Sequence, residues 1–399
     1  MHIIVNYLSL KSPVMKVFTC SAILILVVIL YSCLGQTVHQ STKSTQYTAA
    51  ELKKRYSSGQ ANWPKAELDE SVKNNFQDIG HLPETPYPAD NLYSKEKEKL
   101  GKTLFFDPRL SSSKQIACAS CHDPDLAWTD NRTLAFGHDR QLGARNAMTI
   151  MNSSHIKNPF WDGRTNSLEE QAQMPVQDFK EMNEHIDIAV EKIAAIKGYE
   201  KLFSEAFGSK EVSKEKIGKA IATFERTIKS GSTKFDRFID GNPDAYSDQE
   251  VQGLHLYRTK AQCINCHNTG YFSNNKFEND GTALLGSRQE DLGRYLVTLK
   301  PEDVGKFRVP TLREISRTGP WMHNGAFTPL MDVLTFYNGG NPEPTKKRST
   351  VHKGIGLVSN KSKLLKPLNL TKAELEALES FLETLSSKIN RTQPPALPQ

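Results

Sequence analysis

From residue 94 onward, apolar positions recur every three or four residues in blocks, separated by stretches rich in Gly, Asn and Asp. Ser94 caps the first block: Lys95, Glu96, Lys97 and Glu98 lead into Leu100, Leu104 and Phe105, and Asp107-Pro108 stops it. Helical patterning returns over 167–173, over 185–196 and most strongly over 214–228, where Ile217, Ile221, Phe224 and Ile228 share one face. Ser247 caps another helix carrying Val251, Leu254 and Tyr257, a block that mirrors the one after Ser94 and suggests an internal duplication. Helices also follow over 329–336 and from Thr371 to Leu385. Upstream, residues 47–93 hold Pro64, Pro83, Pro86 and Pro88 and read as an irregular arm with one short helix near Ala49–Tyr56. No convincing strand pair emerges, so the pattern predicts a mainly α fold.

Length and composition divide the chain further. With 399 residues it suits two domains plus appendages, 94–230 and 235–370, with Lys229–Thr233 as linker and 371–399 as a C-terminal helix and tail packing back on the body. The net charge of +6 is spread among acidic residues, which gives nucleic-acid binding no support. The first 33 residues form a signal segment: Lys11 and Lys16 precede the apolar run Ala22–Leu30, which is too short and wrongly flanked for a membrane span. Leu30-Tyr31-Ser32-Cys33 resembles a bacterial lipobox, so Cys33 is expected to be lipidated, with an uncleaved anchor or ordinary cleavage as the alternatives. The segment 34–93 then joins a polar tether to the arm.

Two runs carry the chemistry. Cys118-Ala119-Ser120-Cys121-His122 and Cys263-Ile264-Asn265-Cys266-His267 both have the C-x-x-C-H spacing that attaches a c-type haem. The two thiols add across the porphyrin vinyl groups and the adjacent His supplies nitrogen to iron. A zinc ribbon is the poorer reading, because the runs lie too far apart for its loop. Of six cysteines, Cys20 lies in the signal, Cys33 at the lipobox and four in these runs, leaving none for a disulfide. Covalent haem attachment in bacteria takes place outside the cytoplasmic membrane, which agrees with export to the periplasm.

Other stretches resemble the bacterial di-haem cytochrome c peroxidase family, including its methylamine-utilisation (MauG) branch. They are Leu100-Gly-Lys-Thr-Leu-Phe-Phe-Asp-Pro-Arg-Leu110, the first haem run, Phe160-Trp-Asp-Gly-Arg164 with Ser167-Leu168-Glu169, Val309-Pro-Thr-Leu-Arg313 and His323-Asn-Gly325, together spanning roughly 93–385. The resemblance implies two cytochrome c-like domains, a peroxidatic haem on His122 and an electron-storing haem on His267. It implies His138 as a state-dependent distal ligand of the first iron, Glu181 and Gln171 as the groups that move a proton and orient peroxide, and Trp161 between the centres. Asn146, Thr318 and Pro320 match a calcium position. At the second haem Tyr337 stands where the peroxidases carry Met and the MauG branch carries Tyr, with Met322 and Met331 as alternatives. Glu169, Glu170 and Glu184 read as solvated charges. The implied activity is reduction of hydrogen peroxide to water with electrons from a small cytochrome c or cupredoxin, often by a homodimer. The alternatives are MauG-like oxidation of a protein or organic substrate and a non-catalytic electron carrier.

Overall fold

The computed structural model describes residues 47–342, 356–388 and 391–399; the signal segment, Cys33 and the tether up to residue 46 lie outside them. Its longer helices are α1 (Ala49–Tyr56), α2 (Lys95–Phe105), α3 (Ile186–Ala194), α4 (Lys197–Phe207), α5 (Lys214–Thr227), α6 (Lys234–Ile239), α7 (Asp248–Arg258), α8 (Leu330–Asn338) and α9 (Lys372–Glu383). The expected caps form: the Ser94, Ser247 and Thr371 side chains accept from the third backbone N–H of their helices. Helices α4 and α6 were not anticipated. The former begins at Ile196 without a side-chain cap and carries Gly198 in its first turn; the latter hides in a short run opened by Thr233. Expectation of no strand needs a small correction, since β1 (Phe277–Glu278) pairs antiparallel with β2 (Phe307–Arg308).

Two helix crossings organise the core, α2 with α5 and α7 with α9. Each depends on a glycine. A Cβ on Gly101 would sit 1.9 Å from the Ala220 carbonyl oxygen, and one on Gly253 would sit 1.9 Å from that of Ala377. Aromatic rings fill the space beside each crossing, Phe105, Trp128 and Phe224 in one, Tyr257, Phe272 and Phe381 in the other. Each crossing is braced by a buried aspartate. Asp107 accepts from Arg109 and from the Tyr199 hydroxyl at 2.6 Å, and Asp236 accepts from both Arg313 Nη atoms at 3.1 and 3.0 Å.

The described residues from Thr48 to Gln399 pack as one unit. The stretch expected as a linker is fastened: Ser230 and Asn152 exchange two hydrogen bonds, and Gly231 donates to Ser387. Arg145 ties Asp162 to Asp291 at 2.6 and 2.7 Å. The arm lies on α7 and the second haem run, where Arg258 meets Asp78 and Tyr56 and the Asp69 amide donates to Asn265. Two carboxylates read as solvated are instead structural: Glu169 holds Arg226 at 2.6 Å and Glu184 holds Lys192. Among the described residues no helix is long and apolar enough to cross a membrane.

Candidate haem centres

Both C-x-x-C-H runs fold alike. A single 3-10 turn covers Cys118–Ser120 and Cys263–Asn265, and each His amide donates back to the first Cys carbonyl, at 3.0 and 2.9 Å. His122 Nδ1 lies 3.1 Å from the Trp128 carbonyl; His267 Nδ1 lies 3.2 Å from those of Phe272 and Pro310. A carbonyl on Nδ1 fixes the ring and leaves Nε2 as the basic nitrogen, the arrangement a metal-ligating imidazole needs. Burial holds both rings neutral, pushing His267 down to about 4 and His122 down as well. All four thiols are free of disulfides.

Each run opens on a cavity. The first, of about 1150 Å³, is lined by Cys121, His122, Trp161, Arg164, Gln171, Glu181 and Glu225. The second, about 210 Å³, is lined by Cys263, Cys266 and His267 and closed by Leu and Val side chains of α8 and α9 and by Tyr337 and Met322. An orphaned cation tests whether a haem fits there. Arg308 is 1% exposed, its Nη1 has no hydrogen-bond partner, and no carboxylate among the described residues pairs with it. A buried cation without a counter-charge is costly, and a haem propionate would supply that charge. The donor set and the orphan both fit the group.

The structure brings most of the implied site residues together. Glu181 and Gln171 share the first cavity with His122. Burial, helped by Asp178 and opposed by Arg164, pushes the Glu181 carboxyl up to about 7. Trp161 lines both cavities; its indole donates to the Asn146 carbonyl at 3.0 Å, and its own carbonyl accepts from Arg308 at 2.7 Å. Asn146, Thr318 and Pro320 share the wall of the second cavity, and the Asn146 side-chain amide donates to the Arg132 carbonyl at 2.8 Å. No cluster of three His, Cys, Asp or Glu able to hold a metal occurs among the described residues.

Two placements differ from expectation. His138 does not line the first cavity: its ring faces Ser112 at 3.3 Å and the Asp139 carboxylate at 3.3 Å. The left-handed backbone of Asp139 and Arg140 turns it there, while its amide donates to the Glu181 carbonyl at 2.8 Å. Met331 is likewise not among the residues that line the second cavity, whereas Tyr337 and Met322 are. Sequence reasoning missed Arg308 and Glu225. Position 225 falls four and eight residues after Ile221 and Ile217, so the helical period marked it as inward.

Two haem-attachment runs, each with a carbonyl-fixed His at a cavity in a helical scaffold, define a di-haem c-type cytochrome. Comparison with known proteins narrows the class. The family model described as di-haem cytochrome c peroxidase matches residues 95–244. A cytochrome-c peroxidase (IdrP1) of Pseudomonas sp. strain SCT is 36% identical over 337 residues, covering 77% of this chain and 85% of that protein. The methylamine utilization protein MauG of Methylophilus methylotrophus is 35% identical over 321 residues, covering 79% and 89%. A crystal structure of a MauG-like protein associated with microbial copper homeostasis superposes with a TM-score of 0.68 at 30% identity, covering 77% of this chain and 94% of that one. The chain belongs to the di-haem cytochrome c peroxidase family, and membership implies two haem c groups.

Proposed function

We propose that the protein reduces hydrogen peroxide to water at the first haem, with electrons from a small cytochrome c or cupredoxin entering through the second. The observation that carries this reading is the difference in the cavities: the first is wide and includes Glu181 and Gln171 among its polar groups, while the second is smaller and more apolar. The balance is one peroxide, two electrons and two protons giving two waters. Bound haem supplies the electron transfer and the oxygen–oxygen cleavage. Glu181, raised to about 7, takes the proton from one peroxide oxygen and returns it to the other. Gln171 orients the substrate, and Trp161 lies on the path between the centres. His138, turned toward Ser112 and Asp139, is read as the released form of a distal ligand.

In this reading residues 94–230 and 235–370 are two cytochrome c-like domains, and the C-terminal helix α9 packs back on the second through the Gly253–Ala377 approach. Tyr337 ligates the second haem, and a calcium ion sits on the Asn146 side chain and the Thr318 and Pro320 carbonyls. Cys33 anchors the mature chain by lipid at a membrane of the periplasm. Replacing Glu181 by Gln tests the core of the proposal. Steady-state peroxide turnover with a reduced cytochrome is expected to fall by about 10²–10⁴-fold with haem content unchanged; unaltered turnover would remove Glu181 from the mechanism. Tyr337 favours one second reading, oxidation of a protein or organic partner. Sluggish peroxide turnover by the wild-type protein, together with peroxide-dependent oxidation of an added partner, distinguishes it.

A further inference from the structure

Glu225 is a buried acid that the reaction above does not use. It lies on α5, the helix held against α2 by the Gly101–Ala220 approach. Its side chain is 4% exposed, it lines the first cavity, and its Oε2 has no hydrogen-bond partner. Arg226 does not neutralise it, because that guanidinium is held by Glu169 at 2.6 and 3.0 Å. Of the charged groups acting on Cys118, the first attachment thiol, Glu225 is the strongest. Other titratable groups also line the cavity: Glu181, with Asp178, Lys180 and Arg164 beside it, Cys121 and His122 on the haem loop, and the Arg145, Asp162, Glu290, Asp291 and His323 group. A buried carboxylate with one oxygen unpaired is costly, so its affinity for a proton is raised and the ionised form is reached only in alkaline solution. Burial and Glu169 push it up to about 8, against the pull of Arg226.

We propose that Glu225 is the redox-linked proton site of the first haem, a positioning residue that takes up a proton as that haem gains an electron and gives it back on oxidation. In the step, one electron passes from the donor protein, by way of the second haem, to the first haem. One proton passes from solvent to the Glu225 carboxylate, and the new O–H is the only bond formed. The coupling is reciprocal: an electron added beside the carboxyl raises its proton affinity, and a bound proton favours the electron by the same factor. Reduction of the cavity is thereby kept close to electroneutral, and a proton is stored beside the site that consumes two per peroxide. This rests on the reading of the first cavity as the reactive haem site.

The test is a spectroelectrochemical titration of both haems in the holoprotein across the pH range bracketing 8. For wild type, the reduction equilibrium constant of the first haem is expected to be flat well below 8 and to fall by up to about tenfold per pH unit above it. Glu225→Gln flattens this dependence and leaves the pH profile of the second haem as it was, while Glu225→Asp, which keeps an acid, restores a slope. A flat wild-type profile, or a slope that survives in Glu225→Gln, overturns the proposal. Should the variants fail to load haem, the reduced-minus-oxidised infrared difference spectrum of the wild-type protein decides. Above the apparent pKa, a protonated-carboxyl band must grow on reduction, and its absence overturns the proposal. Failure of the peroxidase reading would be seen separately, as absent peroxide turnover in wild type, and leaves this titration interpretable.

Discussion

In the first half of the molecule α2 meets α5 at Gly101 and Ala220, and in the second α7 meets α9 at Gly253 and Ala377, with the same 1.9 Å clearance denied to any Cβ. Each half adds a capped helix, a C-x-x-C-H turn, a carbonyl on the His Nδ1 and an Arg-clamped aspartate. The halves part at the cavity. The first is wide and carries Glu181, Gln171 and Glu225; the second is a fraction of its volume and is walled by Leu side chains with Tyr337. A scaffold that fixes a haem thus leaves its reactivity to the residues facing the other side of the iron. Polar space suits a reactant that must exchange protons, whereas an apolar fit suits a centre that only gains and loses electrons.

The comparison can be broken most sharply at Tyr337. If it ligates the second haem, Tyr337→Met exchanges a hard oxygen donor for a thioether and raises that haem's potential, changing its reduction equilibrium constant by at least about a hundredfold. Potentiometric titration checks this, and a shift confined to the first haem would refute the assignment. A smaller effect tests the shared scaffold. Gly101→Ala and Gly253→Ala should each cost about 1–3 kcal/mol by overpacking, measured as denaturant midpoints of the holoprotein. A loss at one site alone would show that the crossings are not equivalent. The mildest test is acid stability. Asp107 and Asp236 both titrate below the ordinary carboxylate range because Arg109 and Arg313 donate to them, overcoming burial. Their stabilisation is therefore complete above the unfolded carboxyl value and is lost as pH falls through the lower folded one. Thermal melts should drop in acid, and Asp107→Asn or Asp236→Asn should flatten part of that drop.

Much of this was legible in the chain. Caps at Ser94, Ser247 and Thr371 and the period of Ile217, Ile221 and Phe224 located the major helices, because these signals are local. Both haem runs stood out by spacing. Partnerships across long separations did not: Glu169 looked solvated because Arg226 stands 57 positions away, and Arg308 showed no sign that it would be buried. The side to which His138 turns was equally hidden, since it depends on two left-handed residues after it. Glu225 followed the helical period, yet a carboxylate inside a core is easily passed over when apolar neighbours explain the stripe.

Electron paramagnetic resonance of the half-reduced holoprotein, recorded with and without cyanide, tests most directly whether the two halves differ as described. Expected is one ferric centre, the first haem, that accepts cyanide, while the second stays closed to it in every oxidation state. Cyanide binding at the haem on His267, or at neither haem in any state, would contradict the division between a reactive first half and an electron-storing second.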